Sequence, residues 1–143
     1  MKKLTLIDRA FFLKRTRPFE ALDLELLLAV AEKLTAVAYD PEELIFAQQE
    51  DGYKMYFIVK GIIEIRHQLS GNTVTLETEE FFGEEALFND KPRTYDAISK
   101  TESTLLSLSK TNLLNMISEC PSVAVGLLHV YTAAVPFRPR PVK

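Results

Sequence analysis

Between Val37 and Ser109 the hydrophobic residues fall into short segments separated by turn residues, and this punctuation limits the fold more than any other feature of the chain. Leu44-Ile45-Phe46, Met55 to Val59, Ile62 to Ile65 and Val74-Thr75-Leu76 are rich in β-branched and aromatic residues, the types that suit a pleated, half-buried surface. Asp40-Pro41, Asp51-Gly52, Gly61 and Ser70-Gly71-Asn72 separate them, each with backbone preferences that favour turns. Ala97-Ile98 and Leu105 to Leu108 continue the series. Many short strands closely spaced by turns indicate a β-sandwich or a barrel of the jelly-roll type.

Helical patterns flank the strands. Leu4 to Lys14 repeats apolar residues at Leu4, Ile7, Phe11 and Phe12, and Pro18 ends the pattern. Asp23 is a suitable N-cap for a helix through Leu34, with Leu24, Leu27, Leu28 and Ala31 on one face. After the strands, Ser109 or Thr111 can cap a helix carrying Leu113, Leu114, Met116 and Ile117, which Pro121 stops. Ser122 is placed to cap a last helix with Val123, Leu127, Val130 and Ala134 along one side. The expected organisation is one domain over 1–135, with helices over 4–34, a barrel over 37–109 and C-terminal helices over 110–135. The basic tail over 136–143, with Pro136, Pro139 and Pro141, is expected to be extended and solvated.

The totals narrow the function classes. A chain of 143 residues, 47% hydrophobic and 26% charged, can bury a core and is not expected to be disordered. A net charge of −3 argues against a general nucleic-acid surface, so no DNA partner is expected. One cysteine, Cys120, excludes an intramolecular disulfide, and His67 and His129 cannot make the histidine cluster of a metal-dependent barrel enzyme. No Ser/His/Asp or Cys/His pairing is apparent, so catalysis, cofactor and metal are not expected. Asp8 and Arg9 interrupt any apolar leader, and no segment reaches the length of an uncharged membrane span, which leads to the expectation of a cytoplasmic protein.

One stretch carries chemistry: Phe81 to Ala97, FFGEEALFNDKPRTYDA. Phe81 and Phe82 can anchor a strand end, and Gly83 supplies backbone freedom. Glu84-Glu85 suits the first turn of a short helix, whose free N–H groups can hold a phosphate. Arg93 can grip the same phosphate with two parallel hydrogen bonds, and Thr94 adds a hydroxyl. A carboxylate for a sugar hydroxyl and a guanidinium for a phosphate make a nucleotide-shaped set.

FFGEEAL followed at this distance by PRT resembles the phosphate-binding cassette of the cyclic-nucleotide-binding domain family, and the resemblance extends roughly from Phe11 to Ala134. It implies an eight-stranded jelly-roll barrel that is mainly β with flanking helices. It also implies cAMP or cGMP as ligand, with Glu84 on the ribose hydroxyl, Arg93 and Thr94 on the phosphate, and backbone amides near Gly83, Glu85 and Ala86 assisting. The last helix would act as a lid, output would pass to a separate protein partner, and a homodimer through that helix is expected. The alternative is a domain of the same fold that serves as an interaction module without ligand.

The chain differs from the family pattern at four places. Glu42 and Glu79 stand where glycine is common, Glu85 where an apolar residue is usual, and Tyr95 where alanine is usual, with Asp96 beside it. A carboxylate about 6 Å from a bound phosphate, at an effective dielectric near 20, would cost roughly 2–3 kcal/mol. Strand alternation puts Thr94 and Asp96 on one face and Tyr95 on the other. Either Asp96 repels the phosphate or the Tyr95 phenol takes up ligand space.

Overall fold

The computed structural model describes residues 3–135, 137 and 138. Two antiparallel four-stranded sheets face each other, with helices packed against one of them. The chain begins with α1 (Leu6–Lys14), a 3-10 turn (Arg17–Phe19) and α2 (Leu24–Ala31). The strands are β1 (Thr35–Tyr39), β2 (Leu44–Phe46), β3 (Lys54–Lys60), β4 (Ile63–Arg66), β5 (Thr73–Leu76) and β6 (Phe81–Phe82). A short helix α3 (Glu85–Asn89) precedes β7 (Asp96–Ser99), β8 (Ser103–Ser109), α4 (Lys110–Glu119) and α5 (Ser122–Ala134). The sheet orders are β1-β8-β3-β6 and β2-β7-β4-β5, the mainly antiparallel β arrangement with flanking helices expected of a jelly roll.

The continuous apolar run of β3 has a simple cause: its sheet is covered on both faces. Met55 and Phe57 point to the helical layer, where they join Leu106 and Leu108 of β8 with Phe12, Leu13, Phe19, Leu27, Leu113 and Leu127. Tyr56 and Ile58 point the other way, into a second cluster with Phe46, Ile63, Phe82, Ala97 and Leu105 between the sheets. Register agrees, because Phe57 pairs with Leu106 and Ile58 with Leu105. The opposite sheet keeps one face in solvent, and Thr73 and Thr75 of β5 are accordingly exposed, while Val74 on the other face is exposed because β5 is the edge strand.

Local rules explain the helix ends. Thr5 and Asp8 form a reciprocal capping box, so α1 starts at Leu6 rather than Leu4. Asp23 and Ser109 cap α2 and α4 through the Leu26 and Asn112 amides. Several sequence expectations need correction here. On α1 the buried residues are Ala10, Phe12 and Leu13, whereas Ile7 and Phe11 are exposed, and so are Leu114 on α4 and Ala134 on α5. Ser122 lies within the first turn of α5 and does not cap it; Pro121, fixed near helical φ, precedes that turn. In α2 the buried face is Leu27, Val30 and Ala31, whereas Leu24 is exposed. Of the tail expected to be extended over 136–143, only Phe137 and Arg138 lie among the described residues.

α5 sits on the 3-10 turn at close range. A Cβ at Gly126 would lie 2.5 Å from the Pro18 carbonyl oxygen, so only glycine permits this approach. Val123 and Leu127 are buried beside it, which fixes the root of α5 to the helical layer. Glu42 and Glu79 have φ of 67° and 77°, the left-handed region where glycine is at ease. The two positions where the family pattern favours glycine therefore keep a glycine-type backbone.

Candidate functional site

Gly83 is the centre of the cassette. β6 delivers Phe82 into the inter-sheet cluster, and the chain turns at Gly83 with φ of 84° into α3. Glu84 precedes the first helical residue, and Ala86 and Leu87 bury the inner side of α3. Arg93 arrives from the loop after α3, which is tied to the loop following β2: its N–H donates to the Glu50 carbonyl at 2.8 Å and its carbonyl accepts from Gln49 N–H at 2.8 Å. The fold therefore brings Gly83, Glu84, Glu85, Ala86 and Arg93 into one neighbourhood. Thr94 is exposed at its edge.

Arg93 is buried, and its fixed geometry has clear sources. Nη1 donates to the Gly83 carbonyl at 2.5 Å and Nη2 to the Lys54 carbonyl at 2.6 Å. The guanidinium lies over the Phe46 ring, 4.0 Å from its centroid. Gly52 also leaves room for it, since a Cβ there would come within 2.6 Å of Cζ and Nε. The pocket for the side chain is thus made by an aromatic ring, two carbonyls and a missing Cβ.

Two tyrosine hydroxyls complete the arrangement. Tyr95 accepts from the Gly83 N–H at 2.8 Å and donates to Glu85 Oε1 at 2.7 Å. Its ring joins the inter-sheet cluster, 5.5 Å from Phe46. Tyr131, from α5, donates a hydrogen bond to Glu84 Oε2. Burial raises both phenol pKa values, and the neighbouring carboxylates raise them further, so both hydroxyls stay protonated as donors. Glu84 is 5% exposed. Burial, reinforced by the Glu85 charge, pushes its carboxyl up to about 7, although the Tyr131 hydrogen bond acts in the opposite direction. Glu84 Oε1 and Arg93 Nε are buried and have no hydrogen-bond partner among the described residues.

The choice between the two faces after Arg93 falls to Tyr95. Asp96 does not oppose the cassette: its carboxylate accepts from the Gln48 N–H at 2.7 Å and from Gln68 Nε2 at 3.0 and 3.1 Å. Glu85 is engaged by the Tyr95 hydroxyl. The space left beside Arg93 is a cavity of about 10 Å³ lined by Glu85, Ala86, Asn89, Pro92, Arg93, Thr94 and Tyr95. That is room for about one water, whereas ligand pockets measure about 300–1,000 Å³.

Sequence reasoning missed three contributors. Tyr131 reads as one more apolar residue on α5, because nothing near it in the chain shows that it meets Glu84. Gly52 reads as an ordinary turn residue and Phe46 as a strand residue. Only the juxtaposition with Arg93 reveals what they do.

The cyclic nucleotide-binding domain family model matches residues 36–120, more than half of the chain. A CRP-like cAMP-activated global transcriptional regulator of Mycobacterium tuberculosis is 27% identical over 122 residues, covering 82% of this chain and 54% of the regulator. The chain therefore spans about half the length of that relative. Among solved structures, the Thermus thermophilus catabolite activator protein matches with a TM-score of 0.76 at 24% identity, over 82% of this chain and 57% of that one. The regulatory subunit of a cAMP-independent protein kinase A from Trypanosoma brucei matches with a TM-score of 0.74 at 21% identity, over 92% of this chain and 49% of that one. No single helix among the described residues is long and apolar enough to cross a membrane. Extending across both sheets and α4, with the Gly83–Glu84 turn and Arg93 at its heart, the family match means that the chain belongs to the cyclic nucleotide-binding domain family.

Proposed function

We propose that the domain is a regulatory binding module that takes a cyclic nucleotide at the Gly83–Arg93 cassette, with weak affinity, and passes the response to a partner chain through α5. The observation that carries this reading is the pair of buried, oppositely charged side chains beside Gly83, each with an unpartnered polar atom. An unsatisfied buried polar group costs about 1–3 kcal/mol. A protein core alone gives no reason to keep two of them together, whereas a site for a sugar hydroxyl and a phosphate does. Glu84 would accept from the ribose hydroxyl; Arg93 and the Gly83, Glu85 and Ala86 amides would hold the phosphate, with Thr94 at the rim.

Weak affinity follows from the bonds that must be exchanged. The phosphate has to compete with the Gly83 and Lys54 carbonyls for Arg93 and with the Tyr95 hydroxyl for the Gly83 amide. Each exchange replaces an existing hydrogen bond rather than adding one. The ligand would act as an effector. Titrating cAMP and cGMP while following the Gly83 backbone amide by NMR tests the reading. A saturable shift of that resonance supports it, and none up to millimolar nucleotide rejects it.

The second reading, an interaction module without ligand, is favoured by Tyr95. Its phenol already satisfies the Gly83 N–H and Glu85, and the remaining cavity is about 10 Å³. In that case α5 is the natural contact surface for a second copy of the chain, since Val125, Leu128 and Tyr131 are exposed on it.

A further inference from the structure

We propose that Tyr131 is an intramolecular latch: its hydroxyl takes the place of a ligand hydroxyl on Glu84 and holds the outer half of α5 over the cassette, so that nucleotide enters only when this half of the helix withdraws. The proposal deepens the cyclic-nucleotide reading, on which its ligand half rests, and concerns how that site is regulated.

The geometry divides α5 into a fixed root and a lightly held outer half. At the root, Val123 and Leu127 are buried and Gly126 lies against the Pro18 carbonyl. Beginning within the root and running outward, Ala124, Leu127, Leu128 and Tyr131 follow an i, i+3, i+4, i+7 stripe that faces α3. The space between that stripe and Glu85, Phe88 and Asn89 is a largely apolar cavity of about 480 Å³. This space is a groove open to solvent, with Phe88 and Leu128 exposed on its walls, so the outer half of α5 has little packing against α3. The Tyr131–Glu84 hydrogen bond spans the gap.

The same bond closes Glu84 to solvent. Oε2 accepts from Tyr131, and Oε1 is buried, so neither oxygen is open to an incoming hydroxyl while the phenol is in place. A ligand hydroxyl offers the same chemistry as the tyrosine: one O–H donor to one carboxylate oxygen. The exchange is therefore a competition between an internal and an external donor, decided by ligand concentration and by what else the ligand gains at Arg93.

The test uses the whole chain and two readouts, hydrogen exchange of α5 amides and calorimetric titration with cAMP and cGMP. Tyr131→Phe keeps the ring and removes the hydroxyl. The expected result is faster exchange over residues 128–134 and affinity raised by about tenfold, the equivalent of one charge-assisted hydrogen bond. Glu84→Leu removes the acceptor from the other side and should speed exchange over the same residues. Adding Tyr131→Phe to it should then change little, because coupled partners are not additive. Unchanged exchange in Tyr131→Phe, or fully additive effects in the double variant, would overturn the latch. Weaker nucleotide binding in Tyr131→Phe would also overturn it, by making Tyr131 a ligand contact. Faster exchange, non-additive in the double variant, with no nucleotide binding to any protein upholds the restraint on α5 and rejects the cyclic-nucleotide reading.

Discussion

The guanidinium of Arg93 lies 4.0 Å above the ring of Phe46, inside the fold and not at its surface. A cation in that position depends on its walls, and Gly52 is the wall that a single methyl group would close. Gly52→Ala places a Cβ within 2.6 Å of the guanidinium and 2.8 Å of the Ala86 Cβ. We predict that it displaces Arg93, destabilises the domain by about 1–3 kcal/mol and removes nucleotide binding. Urea denaturation with a parallel titration checks this, and wild-type behaviour in both would show that the close fit around Arg93 is not needed.

Backbone strain gives a second prediction. Glu79 holds a φ of 77° and gains only an exposed ion pair with Arg15 at 3.2 Å. Such pairs contribute about 0–1 kcal/mol, while a left-handed backbone costs an L-residue about 1–2 kcal/mol. Part of the gain from glycine is lost to its more flexible unfolded chain. Glu79→Gly should therefore stabilise the protein by about 0.5–1 kcal/mol, and Glu79→Ala should not. Equal denaturation midpoints for the two variants would contradict the strain argument.

The buried carboxyl of Glu84 predicts a pH dependence. Its pKa rises from the ordinary 4.5 to about 7 in the fold. Between those values the native state holds a proton that the unfolded chain has released, so the stability from this group falls as pH rises through the window. The full effect is up to roughly 3 kcal/mol. Glu84→Gln stays neutral at every pH. The Tm difference between it and wild type should move in favour of glutamine between pH 5 and pH 7.5. A constant difference would show that Glu84 is not titrating there.

The exposed face of α5 predicts self-association. Val125 and Leu128 are 63% and 61% exposed, and Val135 beyond the helix is 49% exposed. Light scattering at about 100 µM should report a dimer mass, since an interface of ordinary size is populated at that concentration. Val125→Glu with Leu128→Glu should return the monomer. A monomeric wild type would leave this face without a second copy as its partner.

The strands were legible because their cause is local: β-branched and aromatic runs between turn residues. β1 and the two-residue β6 carried less of that signal, and their pairing with β8 and β3 depends on residues far away in the chain. Glu84 and Arg93 could be picked out because the cassette is nearly contiguous. Tyr131 could not, as it meets Glu84 from 47 positions away. Alternation correctly separated Tyr95 from Asp96, yet it could not choose the inward face. That choice is made by the aromatic cluster around Phe46, which accepts a phenol ring, and by Gln48 and Gln68, which hold the Asp96 carboxylate outside.

The proposed site requires Arg93 to be a phosphate ligand and not only a buried brace for the Gly83 turn. Calorimetric titration of wild type and Arg93→Lys with cAMP and cGMP tests this most directly, because lysine keeps the charge but loses the paired geometry. The prediction is a wild-type dissociation constant on the order of 10 µM or weaker, about −7 kcal/mol or less favourable. Arg93→Lys should weaken it by at least about tenfold, with both proteins folded. Equal affinity in the two proteins, or no binding to wild type at millimolar nucleotide, would contradict the account.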